Sequence, residues 1–147
     1  MMGTLETKAF GTIDVDATDL IDFPDGLIGI ADRRFALLND GEDSPFKWLQ
    51  SATTPGLAFV LMQPDLFLKR SYRPAVAPSE LERLEVRSLE ECHIYTIVTI
   101  PTDKPEAMTA NLQGPILLNL KRKIGRQVIS NNDDHSVRHL IIENLDT

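Results

Sequence analysis

Short apolar runs separated by turn residues make up most of this chain. The alternating runs at residues 5–10 and 12–15 flank Gly11 and predict two strands joined by a glycine turn. Runs of similar length predict further strands at residues 20–23, 34–39, 46–51, 57–62, 93–100, 108–113, 116–120 and 127–130. Polar segments such as Pro24-Asp25-Gly26 separate them. The pattern predicts an all-β fold of about ten short strands in an antiparallel barrel or sandwich, and a small barrel is favoured because it leaves no exposed edge.

Helical patterns are scarce, and the best of them begins at Pro78. Ser79 can accept hydrogen bonds from the free N–H groups at a helix start, and Glu82 would complete a capping box three residues later. We therefore expect one short helix, or two broken turns, between Ser79 and Glu91. Residues 121–126 are predicted to form a basic hairpin turn.

Length and composition favour one globular domain that spans residues 1–147. The chain is 42% hydrophobic and 25% charged, which is ordinary for a globular protein. Its first residues have neither a basic nor an apolar region of a signal peptide, and its apolar runs are far shorter than the ~20 residues that span a bilayer. We expect a cytoplasmic protein with no membrane partner.

Acidic residues are concentrated in the first third of the chain. Residues 1–45 hold ten acidic and three basic residues, a net charge of −7, whereas residues 46–147 hold twelve of each. A negatively charged surface attracts a basic partner and repels nucleic-acid phosphates. The alternative is that these acids only keep the protein soluble.

Catalytic and metal-binding patterns are weak. Cys92 adjoins His93, but neighbours on a strand point to opposite faces, and neither a nucleophile elbow nor a phosphate-binding loop occurs. His135 and His139 would share a face if their segment were helical, but a catalytic zinc ion needs three protein ligands. We expect no enzymatic activity, no cofactor and no metal, and a small metal-dependent hydrolase using the two histidines is kept as an alternative.

A basic cluster and several aromatic side chains are candidates for binding macromolecules. Lys121-Arg122-Lys123 and Arg126 could contact phosphates, but a solvated turn fits an acidic chain better, so we expect no direct nucleic-acid partner. Phe23, Phe46 and Trp48 are either protein-interface anchors or core residues, and the sequence leaves both open.

Six segments in combination resemble the FliW family of flagellar assembly factors. They are Asp22-Phe23-Pro24-Asp25-Gly26-Leu27, Ser44-Pro45-Phe46-Lys47-Trp48-Leu49-Gln50-Ser51, Leu57-Ala58-Phe59-Val60, Ile97-Val98-Thr99-Ile100-Pro101, Met108-Thr109-Ala110-Asn111-Leu112-Gln113-Gly114-Pro115-Ile116 and Gly125-Arg126-Gln127-Val128-Ile129. The resemblance implies a small, non-enzymatic β-barrel of the bacterial cytoplasm. It also implies a factor that binds flagellin and, once flagellin is exported, binds the translational repressor CsrA. That binding would relieve repression of flagellin synthesis from a site away from the RNA-binding surface. The alternative is a flagellin-specific export chaperone with no role toward CsrA.

The resemblance also indicates candidate partner-binding residues, which are Asp22, Phe23, Pro24, Asp25, Gly26, Phe46, Trp48, Gln50 and Asn111. One departure follows the turn, where Leu27-Ile28-Gly29-Ile30 stands in place of the isoleucine-proline-glycine-phenylalanine typical of the family. We further expect the acids from Asp14 to Asp43 to promote encounter with CsrA. Charge reversal at Asp22 and Asp25 should then slow association and leave thermal stability nearly unchanged.

Overall fold

The computed structural model describes residues 2–68, 71–132 and 134–142. The strands are β1 (Met2–Thr7), β2 (Gly11–Asp16), β3 (Leu20–Asp22), β4 (Arg34–Asn39), β5 (Phe46–Ser51), β6 (Ala58–Met62), β7 (His93–Thr99), β8 (Thr109–Ala110), β9 (Ile116–Asn119), β10 (Ile124–Gln127) and β11 (His139–Leu140). The helix α1 spans Pro78–Arg83. Among the residues described, no helix has the length and hydropathy that crossing a membrane requires.

Seven strands close into a barrel in the order β7-β6-β5-β4-β3-β10-β9, because β9 pairs again with β7. The first half of β7 pairs with β9, whereas its end pairs with the short strand β8, which in turn pairs with β11. Pairing is antiparallel throughout except between β3 and β10, where Asp22 lies beside Ile124 in a parallel bridge. The predicted all-β barrel with one short helix is confirmed.

Alternate side chains of the strands fill the barrel. Its interior cluster is formed by Ile21, Phe23, Leu27, Phe35, Leu49, Leu61, Tyr95, Ile116 and Leu118. The rings of Phe23 and Phe35 meet edge to face, with centroids 5.2 Å apart. Each such side chain contributes about 1.5–3 kcal/mol by leaving water, so burial of this cluster stabilises the closed barrel.

Two further apolar clusters lie outside this interior. One joins Met62 and Val98 on the barrel strands to Phe67, Tyr72 and Ile141. The other joins Leu84 and Val86, which follow α1, to Leu117 and Val128. Packing therefore holds the short helix, Phe67 and Tyr72 from the segment between β6 and α1, and Ile141 just after β11 against the strands.

Strands β1 and β2 form a separate two-stranded hairpin, in which Met2 pairs with Asp16 at one end and Thr7 pairs with Gly11 at the other. Its turn rests on the barrel strand β5, because the Lys8 N–H donates to Gln50 Oε1 at 2.9 Å and the Phe10 ring meets Trp48 edge to face. Leu5 is buried. An isolated two-stranded hairpin is barely stable in water, so these contacts are what order it.

Three local predictions were wrong. The helix begins after Ala77 with Pro78 in its first turn, so Ser79 lies inside it, and the capping box is formed instead by Ser88 and Glu91. The strand predicted at residues 127–130 lies at Ile124–Gln127, because the hairpin turn occupies only residues 120–123. The strand predicted at residues 108–113 is only Thr109–Ala110 long.

Candidate protein-interaction site

The turn formed by residues 23–30 is built on two glycines with positive φ. Gly26 has φ +68°, and a Cβ there would lie 2.4 Å from the carbonyl oxygen of Ile30. Leu27 and Ile30 exchange two main-chain hydrogen bonds of 3.1 and 3.0 Å around Gly29, which has φ +80°. The 23–30 turn therefore has a tightly determined backbone.

Gln127 connects this turn to the loop that contains Asn111. Its Oε1 accepts the Ile28 N–H at 2.9 Å, and its Nε2 donates to the Gly114 carbonyl at 3.0 Å. Asn111 Oδ1 in turn accepts the N–H groups of Gln113 and Gly114, which explains why β8 ends at Ala110. The Ile28 side chain is 56% exposed at the tip of the 23–30 turn.

Asp25 belongs to a network of ion pairs with α1 and β10. Its carboxylate pairs with Arg126 and lies 3.4 Å from Arg83, while Arg126 also donates to Glu80 at 2.7 Å. The hydrogen bond from Arg126, followed by its charge, lowers the pKa of Asp25 from the usual 3.8. Arg126 is only 12% exposed and contacts both Asp25 in the turn and Glu80 in α1. The network therefore ties the turn to the helix.

Strand β5 carries the candidates Phe46, Trp48 and Gln50, and they form a second group. Trp48 Nε1 donates to Asp40 Oδ1 at 2.8 Å, and this bond, together with one from Ser44, lowers the pKa of Asp40. Gln50 is buried, with its Nε2 donating to main-chain carbonyls that include Pro55 at 3.0 Å. Phe46 is half-buried against the outer cluster that contains Met62.

The candidate residues therefore divide into framework and surface. Phe23, Gly26 and Gln50 are buried and Asn111 shapes a loop, so these residues contribute to the fold, whereas Phe46 and Trp48 are half-buried. The exposed candidates are Asp22, Pro24 and Asp25. Asp22 and Arg34 form an ion pair of 3.2 Å in which both side chains are more than half exposed, so it adds little stability.

The contacts of Gln127 with Ile28 and Gly114 were not identified from the sequence, because they depend on strand register, which no local pattern reveals. Ile28 drew attention only as a departure from the family. The sequence indicated an excess of acidic residues from Asp14 to Asp43 but not how the hairpin displays them. Thr4, Glu6, Thr12 and Asp14 alternate with the apolar residues and are exposed, which gives the hairpin an acidic outer face.

The basic cluster is divided by its contacts. Arg126 is held by Asp25 and Glu80, and Arg122 lies 3.8 Å from Glu85. The Lys123 carbonyl accepts the Asp22 N–H at 2.8 Å, which fixes this turn against β3. Of the four basic residues that could contact phosphates, Lys121 and Arg122 are exposed, Lys123 is half-buried, and Arg126 is held by its ion pairs.

The two histidines do not share a helical face, because their segment is irregular and His139 begins β11. His135 Nδ1 lies 2.8 Å from Ser130 Oγ, and its ring centroid lies 4.6 Å from that of Tyr72, with the two planes inclined at 39°. The ring of His139 lies 5.9 Å from that of Phe67. Within residues 2–68, 71–132 and 134–142, no group of three or more His, Cys, Asp or Glu side chains could hold a metal ion.

Cys92 is half-buried, and burial raises the pKa of its thiol, with the Glu91 charge adding to the effect. The thiolate that a nucleophile needs is therefore disfavoured at neutral pH. The contacts above define a class: a small closed β-barrel with an attached hairpin whose outer face is acidic.

Comparisons with known proteins agree with this class. The family model described as FliW protein matches residues 4–141. The flagellar assembly factor FliW of Leptospira biflexa serovar Patoc is 47% identical over 99% of this chain and 95% of its own, and that of Bdellovibrio bacteriovorus is 34% identical over 96% and 80%. A crystal structure of the flagellar assembly factor FliW superposes with a TM-score of 0.87 at 33% identity, covering 95% of this chain and 96% of that one. The chain belongs to the FliW family.

Proposed function

We propose that the chain is a cytoplasmic flagellar assembly factor that binds flagellin and the repressor CsrA, and that it relieves repression of flagellin synthesis without catalysing a reaction. The observation that carries the proposal is the family match across residues 4–141. The names of the relatives and the near-complete superposition on a FliW crystal structure support the general role. Flagellin and CsrA follow from the family resemblance.

The distribution of charge supports an encounter with a basic RNA-binding protein. The hairpin and the turn after it, residues 2–19, hold four acidic residues and one basic residue. By contrast, Asp25 near the barrel end is paired with arginines and its charge is locally compensated. Electrostatic attraction of CsrA is therefore expected at the hairpin, where acidic residues outnumber basic ones four to one.

Relief of repression without competition for RNA needs a particular energetic relationship. The chain must bind the RNA-free form of CsrA more tightly than the RNA-bound form, although it contacts a different surface. RNA must then weaken binding of the chain to CsrA by the same factor by which the chain weakens binding of RNA. Because this factor is finite, CsrA can hold the chain and RNA together, whereas in direct displacement it cannot.

Direct affinity measurements test the proposal. The purified chain is titrated by calorimetry with monomeric flagellin and, separately, with CsrA from the same organism. Binding to both is expected, and flagellin added first should reduce the CsrA signal. Binding to flagellin alone would indicate the export chaperone, and binding to neither would contradict the proposal.

A further inference from the structure

The hairpin offers a main-chain edge that no other strand occupies within the residues described. The barrel closes on itself, whereas β1 and β2 pair only with each other. Gly11, Thr12 and Asp14 of β2 are exposed, and none of the described strands pairs with its outer side. Alternate N–H and C=O groups of an edge strand point away from the paired strand and can accept another strand.

Strand β2 lacks the usual devices that block such an edge. Lysine and proline commonly protect edge strands, but residues 11–16 contain neither. Thr12, Ile13 and Val15 are β-branched and favour extended backbone. The protection that remains is negative charge, from Asp14 and Asp16.

That charge selects what can pair with the edge. Two copies of this chain joined through β2 would bring acidic residues together, which is unfavourable across strands. A strand with Lys or Arg at alternate positions would instead place a cation beside Asp14. Asp16 already accepts the Thr18 N–H at 3.0 Å as a cap, so Asp14 is the acid on which selectivity mainly depends.

We propose that the outer edge of β2 binds an extended basic segment of a partner protein as a third strand of the hairpin. The inference rests on the proposed function, in which this partner is CsrA. Main-chain hydrogen bonds would supply the affinity, and the acidic face would supply the selectivity for basic residues. The contacts Lys8–Gln50 and Phe10–Trp48 hold the hairpin on the barrel beforehand, which lowers the ordering cost of binding.

Amide hydrogen exchange of the full chain, with and without saturating CsrA, tests the proposal. Amides of β2 should exchange at least about tenfold more slowly in the complex, because strand pairing protects main-chain N–H groups. A complex that forms with unchanged exchange in β2 would overturn the inference and leave the proposed function standing. Absence of any complex would overturn both.

Two matched charge reversals separate strand pairing from general attraction. Asp14→Lys should slow association with CsrA at low salt by about three- to tenfold and should remove the protection of the β2 amides. Asp43→Lys should change the association rate by less than about twofold and should leave the protection of the β2 amides in place. Asp14→Asn, which preserves side-chain shape, should give a smaller effect of the same kind. Equal effects of Asp14→Lys and Asp43→Lys on rate and protection would show that only net charge acts, and would overturn strand pairing.

Discussion

The side-chain oxygen of Gln127 accepts the main-chain N–H of Ile28 at 2.9 Å, although the two residues are 99 positions apart. The same side chain donates to the carbonyl of Gly114. One glutamine on β10 thereby holds two loops at the same end of the barrel. The shape of the 23–30 turn is consequently a property of the closed barrel as well as of its own glycines.

Replacing Gln127 with alanine should therefore loosen this end of the barrel. Two hydrogen bonds are lost at partly exposed positions, so the free energy of unfolding should fall by about 1–2 kcal/mol in urea denaturation. Gln113→Ala, which removes an exposed glutamine side chain nearby, is the control. Its free energy of unfolding should fall by less than about 0.5 kcal/mol. Equal losses in the two variants would contradict the bracing role.

Gly26→Ala should destabilise the protein through the backbone. The new Cβ would lie 2.4 Å from the Ile30 carbonyl in a left-handed conformation, and we expect a cost of about 1–3 kcal/mol. Gly56→Ala is the matched control, because a Cβ there meets nothing within 4 Å. Thermal unfolding of both variants measures the difference, and a Gly26→Ala protein as stable as Gly56→Ala would show that the turn relaxes freely.

Phe23→Ala tests whether this candidate residue serves the fold or a partner. Its ring is fully buried against Phe35, so the free energy of unfolding should fall by about 3–5 kcal/mol. Phe10→Ala, at a ring that is 40% exposed, should cost about 1 kcal/mol. Below the unfolding transition, the affinity of Phe23→Ala for flagellin should stay within about twofold of the native value, and a large loss of affinity in a stably folded variant would instead make Phe23 a contact residue.

The Asp25–Arg126 pair should make stability depend on pH at the acidic end. Because the pKa of Asp25 is lower in the folded chain than its usual 3.8, its stabilising effect is fully present above that value and is lost as the pH falls through the lower, folded-state pKa. Asp25→Asn should therefore be less stable than the native chain at pH 7 and should converge with it in strong acid. The effect is small because Asp25 is exposed, so chemical denaturation at several pH values is the suitable measurement. A difference that stays constant down to the lowest pH would assign the effect to side-chain shape and not to charge.

This pairing also changes the expectation for charge reversal. Reversing Asp25 would place a cation beside Arg126 and Arg83, so it would disturb the fold as well as the surface charge. The sequence predicted that stability would be nearly unchanged, because nothing near Asp25 in the chain indicates its arginine partners. Asp14 on the exposed face of the hairpin is the better position for testing attraction of a basic partner.

Local patterns predicted the strands well because alternation of apolar residues reflects which side chains enter the barrel. The extents of β4 and β5 follow directly from their apolar runs. Contacts set by register were beyond that reasoning, such as the parallel bridge between Asp22 and Ile124 or the pair of Asp25 with Arg126, 101 positions away. The capping box was misplaced for a different reason, since Pro78 favours the first helical position and moved the cap to Ala77.

Release of RNA from a preformed CsrA–RNA complex is the sharpest test of non-competitive antagonism by this chain. The chain is titrated into the complex at increasing RNA concentrations, and the midpoint of RNA release is recorded. A non-competitive antagonist with finite coupling predicts that the midpoint rises and then levels off as RNA is increased. A midpoint that keeps rising in proportion to RNA would indicate competition for one surface, and no release at any concentration of the chain would contradict the account.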